Sequence, residues 1–255
     1  MSTGFKEYSE AMWSAWLHGW RPSAHQKTAE IFDLEAMPEP YLLFGNQENP
    51  LTVLTTNPGQ TMERQKYTSI SSGEGLVKPG GSYEKAAGVL GNYYKNNLTG
   101  QAKRRIDAQI DLAHEAGYSG VMQVECLPWH SKSLPDKGRI VNISREDPDL
   151  ADYSSEVCGF LESRPVVALS AVSSKFDLRE INLNHYAWIN RLIELLSFDE
   201  RGFRLVPLTE KNGKVTSALF KDVHAETSKS ILLVMGGNHF PSKDNRSELA
   251  KNIAL

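Results

Sequence analysis

Cysteine is scarce in this chain. Only Cys126 and Cys158 occur in 255 residues, far apart and without a CxxC spacing. That argues against a disulfide scaffold and against a cysteine-built zinc or iron–sulfur centre, and it fits a reducing compartment. Long apolar runs are missing too. The longest, ILLVM at 231–235, falls far short of the roughly 20 residues a membrane span needs. The opening MSTGFKEYSE lacks the basic-then-apolar pattern of a secretory signal. Neither sign of charge dominates: the formal net charge is −3, so composition does not announce whole-surface nucleic-acid binding. Local groups such as Lys103-Arg104-Arg105, Lys132, Lys137 and Arg139 leave room for a basic patch, although each alone reads as solvated surface. Repeats and low-complexity tracts are absent. The expectation is a soluble, cytoplasmic protein of one large domain or a domain with extensions, with 40% apolar residues to build its core.

Several catalytic signatures are also missing. There is no HExxH, no GxSxG and no GxxxxGK[ST]. The stretch SSGEGLVKPGGS (71–82) superficially resembles a phosphate loop, but its spacing is wrong and Pro79 removes a backbone donor. A mobile or substrate-covering loop is the better reading of 60–82.

What remains is a regular alternation. Trp13, Trp16 and Trp20 recur at helical spacing before Arg21-Pro22, predicting a helix that packs an aromatic face on the domain. TAEIFDLEAM (28–37) suggests a short second helix, and PEPYLLFGNQENP leads into a first strand, LTVLTT (51–56). Helices follow at YEKAAGVLGNYYKN and GQAKRRIDAQIDLAHEAG, the second stopped by Gly117. Strands are expected in YSGVMQVECLPWHS, RPVVALSAVSS and KSILLVMGGNHFPS, with a helix at NHYAWINRLIELLSF. GFRLVPLTEKNGKVTSALF reads as two strands joined at Asn212-Gly213. The pattern predicts an α/β fold, a three-layer α/β/α sandwich with a central, mainly parallel sheet. Residues 1–39 form a helical extension packing on the domain at 40–255.

Three of these strands run into polar loops, carrying Asn57, His130 and His239. In open α/β sheets ligands gather at the carboxyl ends of strands, so the loops converge if their strands are adjacent and parallel. Asn57-Pro58-Gly59 forms a sharp, rigid exit able to fix the Asn side chain, or else a plain turn. In GGNHFPS, Asn238 and His239 present polar groups after a buried strand. In ECLPWHS, Trp129 offers a flat face and His130 a polar edge, as a planar substrate requires; core packing of Trp129 is the equal alternative. Glu125, His130 and His239 are conceivable metal ligands without coordinating spacing, and no metal site is assigned.

Taken in order, TTNPGQ after the first strand and NHFPS after the last resemble the two signature loops of the uracil-DNA glycosylase superfamily. PEPYLLFGNQENPLTVLTTNPG and CLPWHS further resemble a bacterial branch of glycosylase-like proteins, and the likeness spans about residues 40–245. It differs from the most active uracil enzymes in having Asn57 where they carry Asp, and in Phe240 between His239 and Pro241. The resemblance implies a monofunctional DNA glycosylase, a monomer without metal or organic cofactor, that flips a base from DNA and hydrolyses its N-glycosidic bond. Asn57 would orient the attacking water and His239 would donate to the departing base. Pro58, Gly59, Gln60, Tyr67, Trp129, His130 and Asn238 would shape the base pocket. Phe240, Ser242, Lys243 and Arg246 would grip the DNA. The resemblance further implies base excision of a damaged or modified base, including a hypermodified base in antiphage defence. A non-catalytic DNA- or nucleotide-binding module on the same fold, and an unrelated small-molecule α/β hydrolase, are the alternatives.

Overall fold

A computed structural model describes residues 4–20, 30–55, 81–131, 147–173, 203–222, 230–236 and 245–254. The chain there is mixed α/β, with one seven-stranded sheet and five α-helices among the described residues. In chain order these are α1 (Gly4–Leu17), β1 (Tyr41–Gly45), β2 (Pro50–Thr55), α2 (Tyr83–Asn97), α3 (Gly100–Glu115), β3 (Gly120–Glu125), α4 (Pro148–Glu162), β4 (Val166–Ser173), β5 (Phe203–Lys211), β6 (Lys214–Asp222), β7 (Ser230–Gly236) and α5 (Arg246–Ile253).

The sheet order is β1-β3-β2-β4-β7-β6-β5. Its centre, β3-β2-β4-β7, is parallel throughout, and both flanks are antiparallel: β1 on β3, and the β6–β5 hairpin on β7. Burial explains the centre. All six residues of β3 are buried and only Pro50 of β2 is partly exposed, as in strands covered on both faces. The hairpin turns at Asn212 (φ 53°) and Gly213 (φ 74°), the left-handed pair a two-residue turn demands.

Two parts of the segment before β2 depart from the sequence expectation. Residues 30–36 form turns rather than a helix, because the Asp33 N–H pairs with the His130 carbonyl at 2.8 Å and the Asp33 carboxylate accepts from the Glu35 N–H. Tyr41–Gly45, expected only as a lead-in, is a strand of its own, held in register against Val124–Gly120. Its close partner is α2, where a Cβ on Gly91 would lie 2.0 Å from the Leu43 carbonyl oxygen. Only glycine lets this helix approach the strand so nearly.

Helix starts follow local chemistry. Ser82 caps α2 through the Lys85 N–H, and Asp147 accepts from the Asp149 and Leu150 N–H groups with Pro148 opening α4. Helix α4 had gone unread in the sequence. Helix α1 buries Phe5, Ser9, Met12, Trp13 and Trp16, a stripe at three- and four-residue spacing. It packs on α4 and α2, with Phe5 against Tyr41, Tyr153 and Phe160. Trp20 lies beyond the helix, after Gly19 at φ 88°. The helix expected at 184–198 and the loop at 60–80 lie outside the described residues.

Candidate functional site

Strands β2, β4 and β7 are consecutive and parallel, so they end at one edge of the sheet, as does β3 on the other side of β2. Asn57 follows Thr55, the last residue of β2, by two positions. His239 follows Gly236, the last residue of β7, by three. The strands leading to Asn57 and His130, β2 and β3, are adjacent and parallel, whereas β4 separates β2 from β7, the strand leading to His239. Asn57, Pro58, Gly59, Gln60, Tyr67, Asn238, His239, Phe240, Ser242 and Lys243 themselves lie outside the described residues.

At this edge sits a buried polar cluster. Thr55 and Glu125 are register partners on β2 and β3. The Thr55 hydroxyl donates to Glu125 Oε2, and the Gln123 amide donates to Glu125 Oε1 at 2.7 Å. The Cys126 N–H donates to the Thr55 carbonyl at 2.9 Å, so main chain and side chain both tie the end of β2 to β3. Tyr153 of α4 donates to the main-chain carbonyl of Glu125 (2.7 Å) and lies 3.3 Å from that of Pro40. Burial pushes the Glu125 carboxyl up from 4.5 to about 7. The Thr55 and Gln123 hydrogen bonds and the Arg105 charge of α3 oppose that rise, while the Glu39 carboxylate adds to it. A carboxyl poised near neutrality at the carboxyl end of a parallel sheet has the character of a functional group.

A second group adjoins it. Glu39, only 1% exposed between Pro38 and Pro40, accepts from the Tyr94 hydroxyl at 2.8 Å. His130 Nε2 lies 3.4 Å from Glu39 Oε1. Glu39 N–H donates to the Pro128 carbonyl at 2.8 Å, which fastens the loop after β3 to the lead-in of β1.

Of the sequence-derived site residues that are described, Trp129 and His130 are brought to this edge but are buried. Trp129 is 2% exposed, its ring 6.4 Å from that of Trp20, and His130 is fully covered. Arg246 opens α5 and points its guanidinium at α3, 2.6 Å from Asp111 and 3.5 Å from Glu115. No group of three or more His, Cys, Asp or Glu residues able to hold a metal ion occurs among the described residues, and none of their helices is long and apolar enough to cross a membrane.

No family model, curated protein or solved structure matches this chain.

In the sequence Glu125 stands out only as a conceivable metal ligand, and Thr55, Gln123 and Glu39 carry no motif of their own. A signal was available. Parallel register pairs Thr55 with Glu125 as soon as β2 and β3 are neighbours, and a carboxylate closing a wholly buried strand is rare without a partner. Adjacency of those two strands is the part that the local sequence does not carry.

Proposed function

We propose that this protein is a monofunctional DNA glycosylase with a three-layer, uracil-DNA glycosylase-like fold, hydrolysing the bond between a damaged or modified base and C1′ to leave an abasic site. The observation that supports this reading is the strand order. With β4 alone between them, β2 and β7, the strands that precede Asn57 and His239 in the chain, end at the same sheet edge two inter-strand spacings apart, about 10 Å across the sheet.

The chemistry suits these residue types. Glycosidic cleavage passes through an oxocarbenium-like sugar and an anionic leaving base, and it is helped chiefly by fixed dipoles and donors. The Asn57 amide oxygen orients water without being a strong base. His239 donates to the leaving base, a contribution of roughly 3 kcal/mol to the barrier. Asn in place of a carboxylate suits a base that leaves easily, such as a deaminated or hypermodified one, and a modified base of phage DNA is the favoured substrate.

The test is abasic-site formation, revealed by alkali, on DNAs carrying uracil, mismatched, deaminated, hydroxymethylated or glucosylated bases. Wild type cleaves at least one of these, and Asn57→Ala and His239→Ala abolish that cleavage while retaining DNA binding. Silence of wild type across the panel, with salt-sensitive DNA binding retained, would replace the enzyme with a binding module.

A further inference from the structure

Helix α1 buries one stripe in the core and turns another towards a cavity of about 500 Å³ beside β1, the outermost strand of the sheet. That volume is ordinary for a small-molecule pocket, roughly 300–1,000 Å³. Lys6, Glu7, Glu10 and Ser14 line it from α1, Glu84 from the first turn of α2, and Tyr41 from the start of β1.

The walls carry three carboxylates against one ammonium. Lys6 is engaged by Glu84 at 2.6 Å. Glu10 accepts from the Tyr83 N–H through Oε2, which holds the start of α2. Its other oxygen and the Glu7 carboxylate have no partner among the described residues. Acidic side chains on an open helix face are common; Tyr41 sets this cavity apart. The residue is 1% exposed, its ring 5.0 Å from that of Tyr83 and 5.8 Å from that of Phe5, and its main-chain carbonyl accepts from the Tyr83 hydroxyl. Its own hydroxyl has no hydrogen-bond partner among the described residues, although a buried phenol ordinarily finds one. Burial, and then the Glu84 and Glu10 charges, hold that phenol protonated well above its usual range, so its oxygen stays neutral beside the carboxylates.

We propose that this cavity is a binding site for a primary alkylammonium group, held between the Glu7 and Glu10 carboxylates and the Tyr41 hydroxyl. A primary ammonium has three N–H donors and no acceptor, and the cavity offers it three acceptor groups. The net negative lining disfavours phosphate or nucleic acid here. A bare metal ion does not fit either, because the described carboxylates gather into no group able to chelate one. The site stands apart from the Asn57 and His239 strands and does not depend on the glycosylase reading.

The experiment titrates the full-length protein, without DNA and at low salt, with putrescine and with Nα-acetyl-lysine amide, followed by calorimetry. The first probe represents a free amine and the second a lysine side chain of another protein. Wild type is compared with Tyr41→Phe, Glu10→Gln and Glu48→Gln. Glu10→Gln keeps an oxygen for the Tyr83 N–H while removing the charge, and Glu48 is exposed in the turn between β1 and β2, at the opposite end of β1 from Tyr41. Wild type is expected to bind at least one probe. Tyr41→Phe and Glu10→Gln each weaken that binding about tenfold, as for the loss of one hydrogen bond to a charged group, and Glu48→Gln leaves it unchanged. Preference for putrescine assigns the site to a free amine, and preference for the blocked lysine assigns it to a basic side chain. If Glu10→Gln does not fold, Tyr41→Phe decides alone, since the hydroxyl it removes makes no bond among the described residues. Wild type that binds neither probe at millimolar concentration overturns the proposal, as does an affinity unchanged by Tyr41→Phe and Glu10→Gln.

Discussion

The hydroxyl of Thr55 donates to the carboxyl of Glu125 across the last rung of two parallel strands that are 70 residues apart in the chain. The same two residues are joined through the main chain by the Cys126 N–H.

The raised carboxyl of Glu125 makes folding stability depend on pH. The folded state holds the proton up to about pH 7, whereas the unfolded chain releases it near 4.5. Its stabilising contribution is therefore complete below about 4.5, declines as pH rises, and is gone above about 7. The loss across that window is on the order of 3 kcal/mol. Urea unfolding from pH 4.5 to 8 should show this decline in wild type and a flatter profile in Glu125→Gln. Parallel profiles for the two proteins would refute it.

Gly91→Ala brings a methyl group to 2.0 Å from the Leu43 carbonyl oxygen, a backbone atom that cannot rotate away. Alanine favours the helix by about 1 kcal/mol, but the clash pushes α2 off β1. A net destabilisation of about 1–3 kcal/mol is expected from overpacking, read as a lower urea midpoint. Gly88→Ala, three residues earlier in the same helix, meets no neighbouring atom within 4 Å and serves as the control, with stability unchanged or improved.

Arg246→Ala separates two uses of one side chain. The guanidinium is engaged by Asp111 and Glu115, with the arginine side chain 15% exposed. The expected result is a lower melting temperature with the salt dependence of DNA binding unaltered. If Arg246 instead serves a phosphate, the slope of log affinity against log salt falls by about 1.

Tyr94→Phe removes the hydroxyl that donates to Glu39 at 2.8 Å inside the buried cluster. A cost of about 1–2 kcal/mol in unfolding free energy is expected for a buried carboxylate losing one donor. Tyr93→Phe, at the neighbouring and partly buried ring, is the comparison and should cost little.

Elements with strong local signals were legible in the sequence. The α2 and α3 helices announced themselves by period and by the stop at Gly117, and the β5–β6 hairpin by Asn212-Gly213. The apolar runs of β2, β3, β4 and β7 were equally plain. What escaped was decided by distant partners. Tyr41–Gly45 is a strand because β3 offers it an open edge, and 30–36 is turned because His130 pairs with Asp33. Helix α4 did carry a local signal, Asp147-Pro148 ahead of an apolar periodicity, but it follows a stretch that reads as loop. The site divided in the same way. Strand ends pointed to Asn57 and His239, while the Thr55–Glu125 and Glu39–Tyr94 contacts depend on tertiary neighbours that no short window contains.

The sheet's two halves close at very different sequence distances, and this bears on how the molecule assembles. On one side, Lys211 pairs with Lys214 and Lys221 with Ser230, so β5, β6 and β7 pair across two short connections. On the other, Pro50 must find Gly120 and Thr52 must find Val167, each closing a long loop before any contact rewards it. The hairpin half is thus placed to nucleate and the β1-β3-β2 half to dock late. The rung that joins Thr55 to Glu125 would then be among the last to form in folding and among the first exposed when the sheet opens.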